Sequence, residues 1–302
     1  LFVTLRTVFD SIWSKAWILL VFTAAVWGAH GVGARMAIGE MSPMTLVLLR
    51  WFFVCLILGV ALHRQLRDNA HLLLHAWRRL LPMGFFGFTA FNAIYYYAAY
   101  YTSAINLTLL QSLMPPMILA GALVVYRVKV TPAQICGLIM ALAGIVVIAS
   151  HGELARLLAL QFNIGDIGIL IACVFYSGYT LSLRSRPPLP ALVFFTGLAG
   201  AAFLEAIPLF MTEIVAGAFY WPSLKGWLIL VFVVLGPSLS SQITYMRGIE
   251  LIGPGRAGLF NSLVPVFGAL FAVLLLGEPF APYHAVALGL GMGGVYFAER
   301  KA

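Results

Sequence analysis

Trp27 and His30 stand three residues apart, and Tyr176 and Tyr179 repeat that spacing in the second half of the chain. Asn92, Tyr95 and Tyr96 make another close group, while Ser238, Ser241, Gln242 and Tyr245 fall at i, i+3, i+4 and i+7. Each set shares one face of a helix. Two further clusters sit just before prolines: Gln111 and Ser112 before Pro115, and Asn261 and Ser262 before Pro265. Aromatic faces stack on apolar or planar groups, and amides and hydroxyls donate and accept hydrogen bonds, so these side chains could line one cavity for a solute. The set contains no carboxylate or Lys, which suits a neutral or zwitterionic solute with an apolar part and suits a polyanion poorly. Taken singly, each Tyr serves equally well as packing between helices or as part of an interfacial aromatic belt, and Tyr97, Tyr100 and Tyr101 are assigned to those roles.

The elements that carry these residues are apolar. Of 302 residues, 62% are hydrophobic and 9% charged, and the mean hydropathy is +1.00; ordinary soluble domains carry about 25% charge. The chain therefore reads as an all-α polytopic membrane protein. Windows of about 20 residues give ten spans, near residues 16–37, 43–63, 80–100, 104–126, 132–150, 165–183, 190–212, 226–248, 256–277 and 281–299. The stretch before the first span places Leu1, Leu5, Val8, Phe9 and Ile12 near one helical face, as a helix on the cytoplasmic surface would.

The net charge of +8 would suggest nucleic acid, but the positions of the basic residues explain it. With a cytoplasmic N-terminus, 14 of the 18 Lys and Arg fall on the inner side, and only Arg35, Arg156 and Lys225 fall outside. Both termini are then cytoplasmic, and no nucleic-acid partner is expected. Arg50 alone lies within a span, where it would snorkel, bond helix-end carbonyls or meet a substrate carboxylate. For proton coupling the candidates are His30, which titrates near neutral pH in water, and Glu205, the one carboxylate well inside a span. Cys55, Cys136 and Cys173 have no metal-ligand spacing and read as packing residues, and His71 and His75 as solvated loop histidines, so neither metal nor cofactor is expected. Paired catalytic groups and an ATP-binding loop are also missing, which argues against an enzyme and against a primary pump.

Sliding the chain against itself by 150 residues lays "NAIYYYAAYYTSAINLTLLQSLMPPMILAGA" on "QITYMRGIELIGPGRAGLFNSLVPVFGALFA" without a gap. Asn92 meets Gln242, Tyr95 meets Tyr245, Gln111 meets Asn261, Ser112 meets Ser262, and Pro115 meets Pro265. Two units follow, residues 1–150 and 151–302, of five helices each. Because five is odd, the second unit must cross the membrane in the opposite sense, an inverted repeat of the kind that places substrate between halves. The prolines Pro115 and Pro265 each free a carbonyl about one turn earlier, near Gln111 and Asn261, and mark hinges or kinks. Polar groups and free carbonyls at this depth are tolerated beside a protein-lined cavity; hydrogen bonding between helices would also account for them.

These segments, and "LFNSLVPVFGALFAVLLLGEPFAPYHAVALGLGMGGVYFA" after them, resemble the drug/metabolite transporter superfamily in its ten-helix EamA-type branch. The resemblance covers nearly the whole chain. One departure is that Gly277 and Glu278 correspond to Arg127 and Val128 in the first half. The resemblance implies export of small metabolites through a central cavity, from a bacterial inner (plasma) membrane. Together with the uncharged aromatic lining, it suggests the branch exporting aromatic and other neutral amino acids; the alternative is export of amphipathic drugs or other small metabolites, with or without protons. Besides the solute and membrane lipid no partner is expected, and the chain would act as a monomer or a dimer.

Overall fold

A computed structural model describes residues 13–129, 131–153 and 163–298. The amphipathic N-terminal stretch, Arg156, Arg300 and Lys301 lie outside them. Every regular element among the described residues is helical. In chain order these are α1 (Ala16–Met36), α2 (Pro43–Ala61), α3 (His63–Asp68), α4 (Ala70–His75), α5 (Trp77–Gly84), α6 (Ala90–Ala98), α7 (Ala104–Gln111), α8 (Met114–Tyr126) and α9 (Pro132–Ala149). The second half gives α10 (Ile164–Ser182), α11 (Ala191–Val215), α12 (Leu224–Val233), α13 (Ser241–Ile252), α14 (Pro254–Leu259), α15 (Val264–Leu276) and α16 (Pro282–Ala298).

Eight helical stretches among the described residues are long and apolar enough to cross a membrane. The region of the expected third span differs from an unbroken helix: a π turn, Phe85–Thr89, separates α5 from α6. The expected tenth span, α16, has 17 residues. Large apolar side chains such as Val124, Leu142, Leu228 and Leu274 are exposed around the bundle, as lipid-facing residues should be.

The breaks recur with the repeat. A second π segment, Val234–Ser240, joins α12 to α13 and holds Pro237 where the first holds Gly87. The helix breaks at Ser112–Leu113 between α7 and α8, and the 3₁₀ turn Phe260–Leu263 divides α14 from α15. Pro115 and Pro265 both sit at the start of a new helix, where a missing N–H costs nothing, rather than inside a continuous one.

Packing follows the same symmetry. Helix α1 packs on α13 and α15, and its counterpart α10 packs on α6 and α8; α2 packs on α11, and α9 on α16. The self-paired contacts run antiparallel. Gly144 of α9 lies against Ala287 and Leu290 of α16, while Gly294 of α16 lies against Gly137 and Ala141 of α9. A Cβ on Gly294 would come 3.0 Å from the Gly137 carbonyl, so the small residue is what lets the two backbones approach. An antiparallel pairing of equivalent helices has a local pseudo-twofold axis between them, which agrees with an inverted repeat.

The two ends of the bundle differ in charge. One end gathers Glu40, Glu213, Glu278 and Asp166 with Arg35 and Lys225, its joints linked by Ser223–Glu40, Tyr100–Tyr220 and Asn163–Tyr101 hydrogen bonds. The other carries Arg64, Arg67, Arg78, Arg79, Arg127, Lys129, Arg184, Arg186, Arg247 and Arg256 near the joints after α2, α8, α10 and α13.

Candidate functional site

The two π segments meet at one side chain. Pro237 cannot donate to the carbonyl of Val233, four residues back, and the Ser238 hydroxyl donates to it instead at 2.7 Å. The same Ser238 oxygen accepts from Arg50 Nε at 2.8 Å. In the first half, Asn92 Nδ2 donates to the Phe88 carbonyl inside the π turn at 2.6 Å, and Asn92 Oδ1 accepts from Arg50 Nη1 at 2.6 Å. Each loosened helix thus hands one polar side chain to Arg50, from opposite halves of the chain.

Arg50 therefore does not snorkel. It is 6% exposed in the middle of α2, with its guanidinium 5.1 Å from the centre of the Trp51 ring. Nη1 also donates to the Tyr96 hydroxyl at 2.9 Å and lies 3.2 Å from His30 Nε2. Since a guanidinium only donates, Nε2 faces it as an acceptor and the imidazole is neutral. His30 stacks on Tyr95 at 5.1 Å, and the Tyr96 hydroxyl stands 2.9 Å from the same Nε2. Tyr95 is fully buried, and its hydroxyl has no hydrogen-bond partner among the described residues.

Two aromatic groups flank this cluster. Trp27 donates from Nε1 to the Pro237 carbonyl at 3.3 Å and lies 5.1 Å from Tyr245, whose hydroxyl accepts from Asn261 Nδ2 at 3.1 Å. On the other side Tyr176 lies 5.2 Å from Phe91 and 5.4 Å from Tyr179, and Tyr179 packs on Phe88. Gly87 is required there, because a Cβ would fall 2.5 Å from the Tyr179 ring.

The remaining expected residues divide. Gln111, Gln242, Asn261 and Ser262 are half-buried, with Ser262 inside the 3₁₀ turn. Ser112 is turned away from the cluster: its hydroxyl donates to the Leu109 carbonyl and packs where α16 presents Gly291. Ser241 is fully buried, its hydroxyl without a partner among the described residues, next to the Thr23–Thr244 hydrogen bond that ties α1 to α13. Glu205 accepts from Thr89 Oγ1, the last residue of the first π turn, at 3.1 Å. It is not the one carboxylate within the helices. Helix α11 runs to Val215 and so includes Glu213, and buried Asp166 lies in the first turn of α10.

Those two carboxylates carry no local pattern in the sequence, and Glu278 stands out there only as a departure between the halves. Glu213 accepts from the Ser42 hydroxyl at 2.7 Å, from Met44 N at 3.1 Å and from Thr45 N at 3.2 Å, capping the start of α2. Glu278 accepts from Ala104 N at 2.8 Å and Ile105 N at 3.0 Å, capping the start of α7, with Arg35 Nε 3.8 Å away. Asp166 accepts from Thr102 and Asn106. Helix starts expose N–H groups that an anion satisfies. Beside Glu278, a cavity of about 410 Å³ is lined by Arg35, Tyr100, Asn106, His151 and His284 among others.

The repeat has a counterpart among known proteins. The EamA-like transporter family matches residues 15–150 and again residues 163–299. The chain belongs to that family. Similar proteins include an uncharacterized transporter, YyaM, of Bacillus subtilis, 23% identical over 92% of this chain and 90% of its own. The uncharacterized inner membrane transporter YicL of Salmonella typhimurium is 26% identical over 88% and 89%. A solved crystal structure superposes with a TM-score of 0.65 at 22% identity, covering 93% of this chain and 96% of that one, and so shares the fold. This EamA-like protein is a multi-pass membrane transporter of small molecules.

Proposed function

We propose that the protein is a secondary transporter exporting aromatic and other neutral amino acids across the inner membrane, by alternating access between two inverted five-helix halves. Its ten membrane helices then include the π-interrupted α5–α6 segment and the short α16, and the basic end of the bundle faces the cytoplasm together with both termini. The observation that carries this reading is the meeting of the two π segments, one from each half, at a cluster of aromatic rings and hydrogen-bonding groups. π turns inside helices recur at functional sites and supply loosened backbone that can rearrange. Trp27, Tyr176 and Tyr245 would stack on the apolar side chain of the solute, with Gln111, Gln242, Asn261 and Ser262 supplying hydrogen bonds. His30 is engaged as an acceptor by Tyr96 and Arg50, which favours transport without a proton. Export of amphipathic drugs is the second reading, favoured by the share of bare aromatic surface in the cluster.

Radiolabelled phenylalanine flux in proteoliposomes, with and without an imposed pH gradient, tests this. Equilibrating flux that ignores the gradient is expected. Accumulation driven by the gradient would assign coupling to His30 or Glu205, and drug flux without phenylalanine flux would replace the amino-acid reading by the second.

A further inference from the structure

We propose that Arg50 is an anion subsite that takes the carboxylate of the transported solute. The inference rests on the reading above that solute passes between the two halves, and it narrows the solute to one bearing a carboxylate.

The charge balance around Arg50 carries the argument. A guanidinium stays protonated in proteins, so burial leaves a fixed positive charge. A buried cation without an anion is costly unless another group compensates it. None of the three ion pairs among the described residues involves Arg50. Its partners are Ser238, Asn92, Tyr96 and His30, all neutral acceptors, with the face of Trp51 beside it. Three of those acceptors crowd on Nη1, and Nη2 makes no hydrogen bond among the described residues. The site is thus fully assembled for a cation and lacks only a negative charge.

Geometry supplies the second part. A planar guanidinium presents parallel N–H groups that match the two oxygens of a carboxylate. The acceptors that hold Arg50 come from α1, from α6 just after the first π segment and from the second π segment, so an anion drawn to it would touch both halves at once. A group that bridges both halves at their loosened turns can bias the exchange between their two arrangements. A purely structural cross-link would serve the resting state equally well but would not discriminate among solutes.

Discrimination is therefore the readout. The full-length protein in detergent is heated with matched carboxylate and primary-amide pairs, from acetate and acetamide to N-acetylphenylalanine and its amide. The wild-type protein should be stabilised by at least one carboxylate at concentrations about tenfold or more below its amide. Arg50→Gln should erase that preference, and Arg50→Lys should keep part of it. Equal effects of every carboxylate and its amide, or a preference that survives Arg50→Gln, would overturn the proposal. Stabilisation by chloride alone, with no carboxylate above it, would also overturn it, assigning an inorganic ion instead. If Arg50→Gln does not fold, the wild-type comparison decides by itself. Carboxylate preference without phenylalanine flux would leave the Arg50 assignment standing while removing the amino-acid reading.

Discussion

The acidic and basic ends of the bundle are built from equivalent corners, and they are fastened differently. At the acidic end Glu278, just after α15, caps Ala104 and Ile105 at the start of α7. At the basic end the positions matching these in the repeat are Val128, after α8, and Pro254, at the start of α14, which offer neither a carboxylate nor an N–H to receive one. Backbone geometry is nevertheless conserved between the corners, since Arg127 and Gly277 both end their helices with left-handed conformations, at φ 51° and 66°. The pair formed by α2 and α11 repeats the asymmetry. Glu213 caps the start of α2 at the acidic end, whereas at the basic end α11 begins after Pro190 without a side-chain cap, and the residues after α2 are Leu62, His63, Arg64 and Gln65. Carboxylates tie the helix starts at the acidic end, while the basic end is linked through the Tyr126 hydroxyl to the Leu181 carbonyl and Arg79 to the Ser185 carbonyl, a difference that predicts the basic end is the easier one to open.

Removing a tie should therefore cost far more at one end than at the other. Glu213→Ala strands buried hydroxyl and N–H donors and is expected to lower stability by about 3 kcal/mol, seen as a lower unfolding midpoint in detergent. Gln65→Ala, exposed at the opposite end, should stay within about 0.5 kcal/mol. Comparable losses from both would erase the distinction. Glu278→Gln keeps one acceptor oxygen but loses the charge, and a shift of about 1.4 kcal/mol, or tenfold, toward an open acidic end is expected. Alkylation of Leu107→Cys, placed at a fully buried position of α7, reads it as a tenfold faster reaction. The comparison can also be inverted. Val128→Glu combined with Pro254→Ala supplies the missing acceptor and donor at the basic corner, and should slow flux severalfold, by about 1 kcal/mol.

The smallest effect concerns Glu40. The Ser223 hydroxyl, and then the Lys225 ammonium, hold its carboxyl below the usual carboxylate range. A lowered value in the folded state contributes stability that is complete above the ordinary carboxylate range and fades as pH falls through the lowered one. A small acid-side decline in the unfolding midpoint should thus be reduced in Glu40→Gln.

How much of this was legible in the sequence follows the same division. The repeat, the membrane class and the breaks near Pro115 and Pro265 were legible because each is written in neighbouring residues or in a constant offset. The caps were not, since Glu213 and Ser42 or Glu278 and Ala104 find one another only when distant helices dock. The π segments left a signal that went unread, a Gly87 and Pro237 at the offset of the repeat, each where an unbroken α-helix is weakened. Arg50 was visible as a charge within a span, but its partners on α1, α6 and the second π segment have no local pattern, and burial rather than snorkelling emerged only from the packing.

Spin-label distances test the unequal fastening of the ends most directly. One pair, Tyr101→Cys with Phe280→Cys, spans the acidic corner, and a pair one residue before the equivalent positions, Glu250→Cys with Lys129→Cys, spans the basic one. In otherwise wild-type protein the acidic pair should give one narrow distance and the basic pair a broad spread, and Glu278→Gln should broaden the acidic pair. Equal spreads at both ends, or an acidic pair indifferent to Glu278→Gln, would contradict the account.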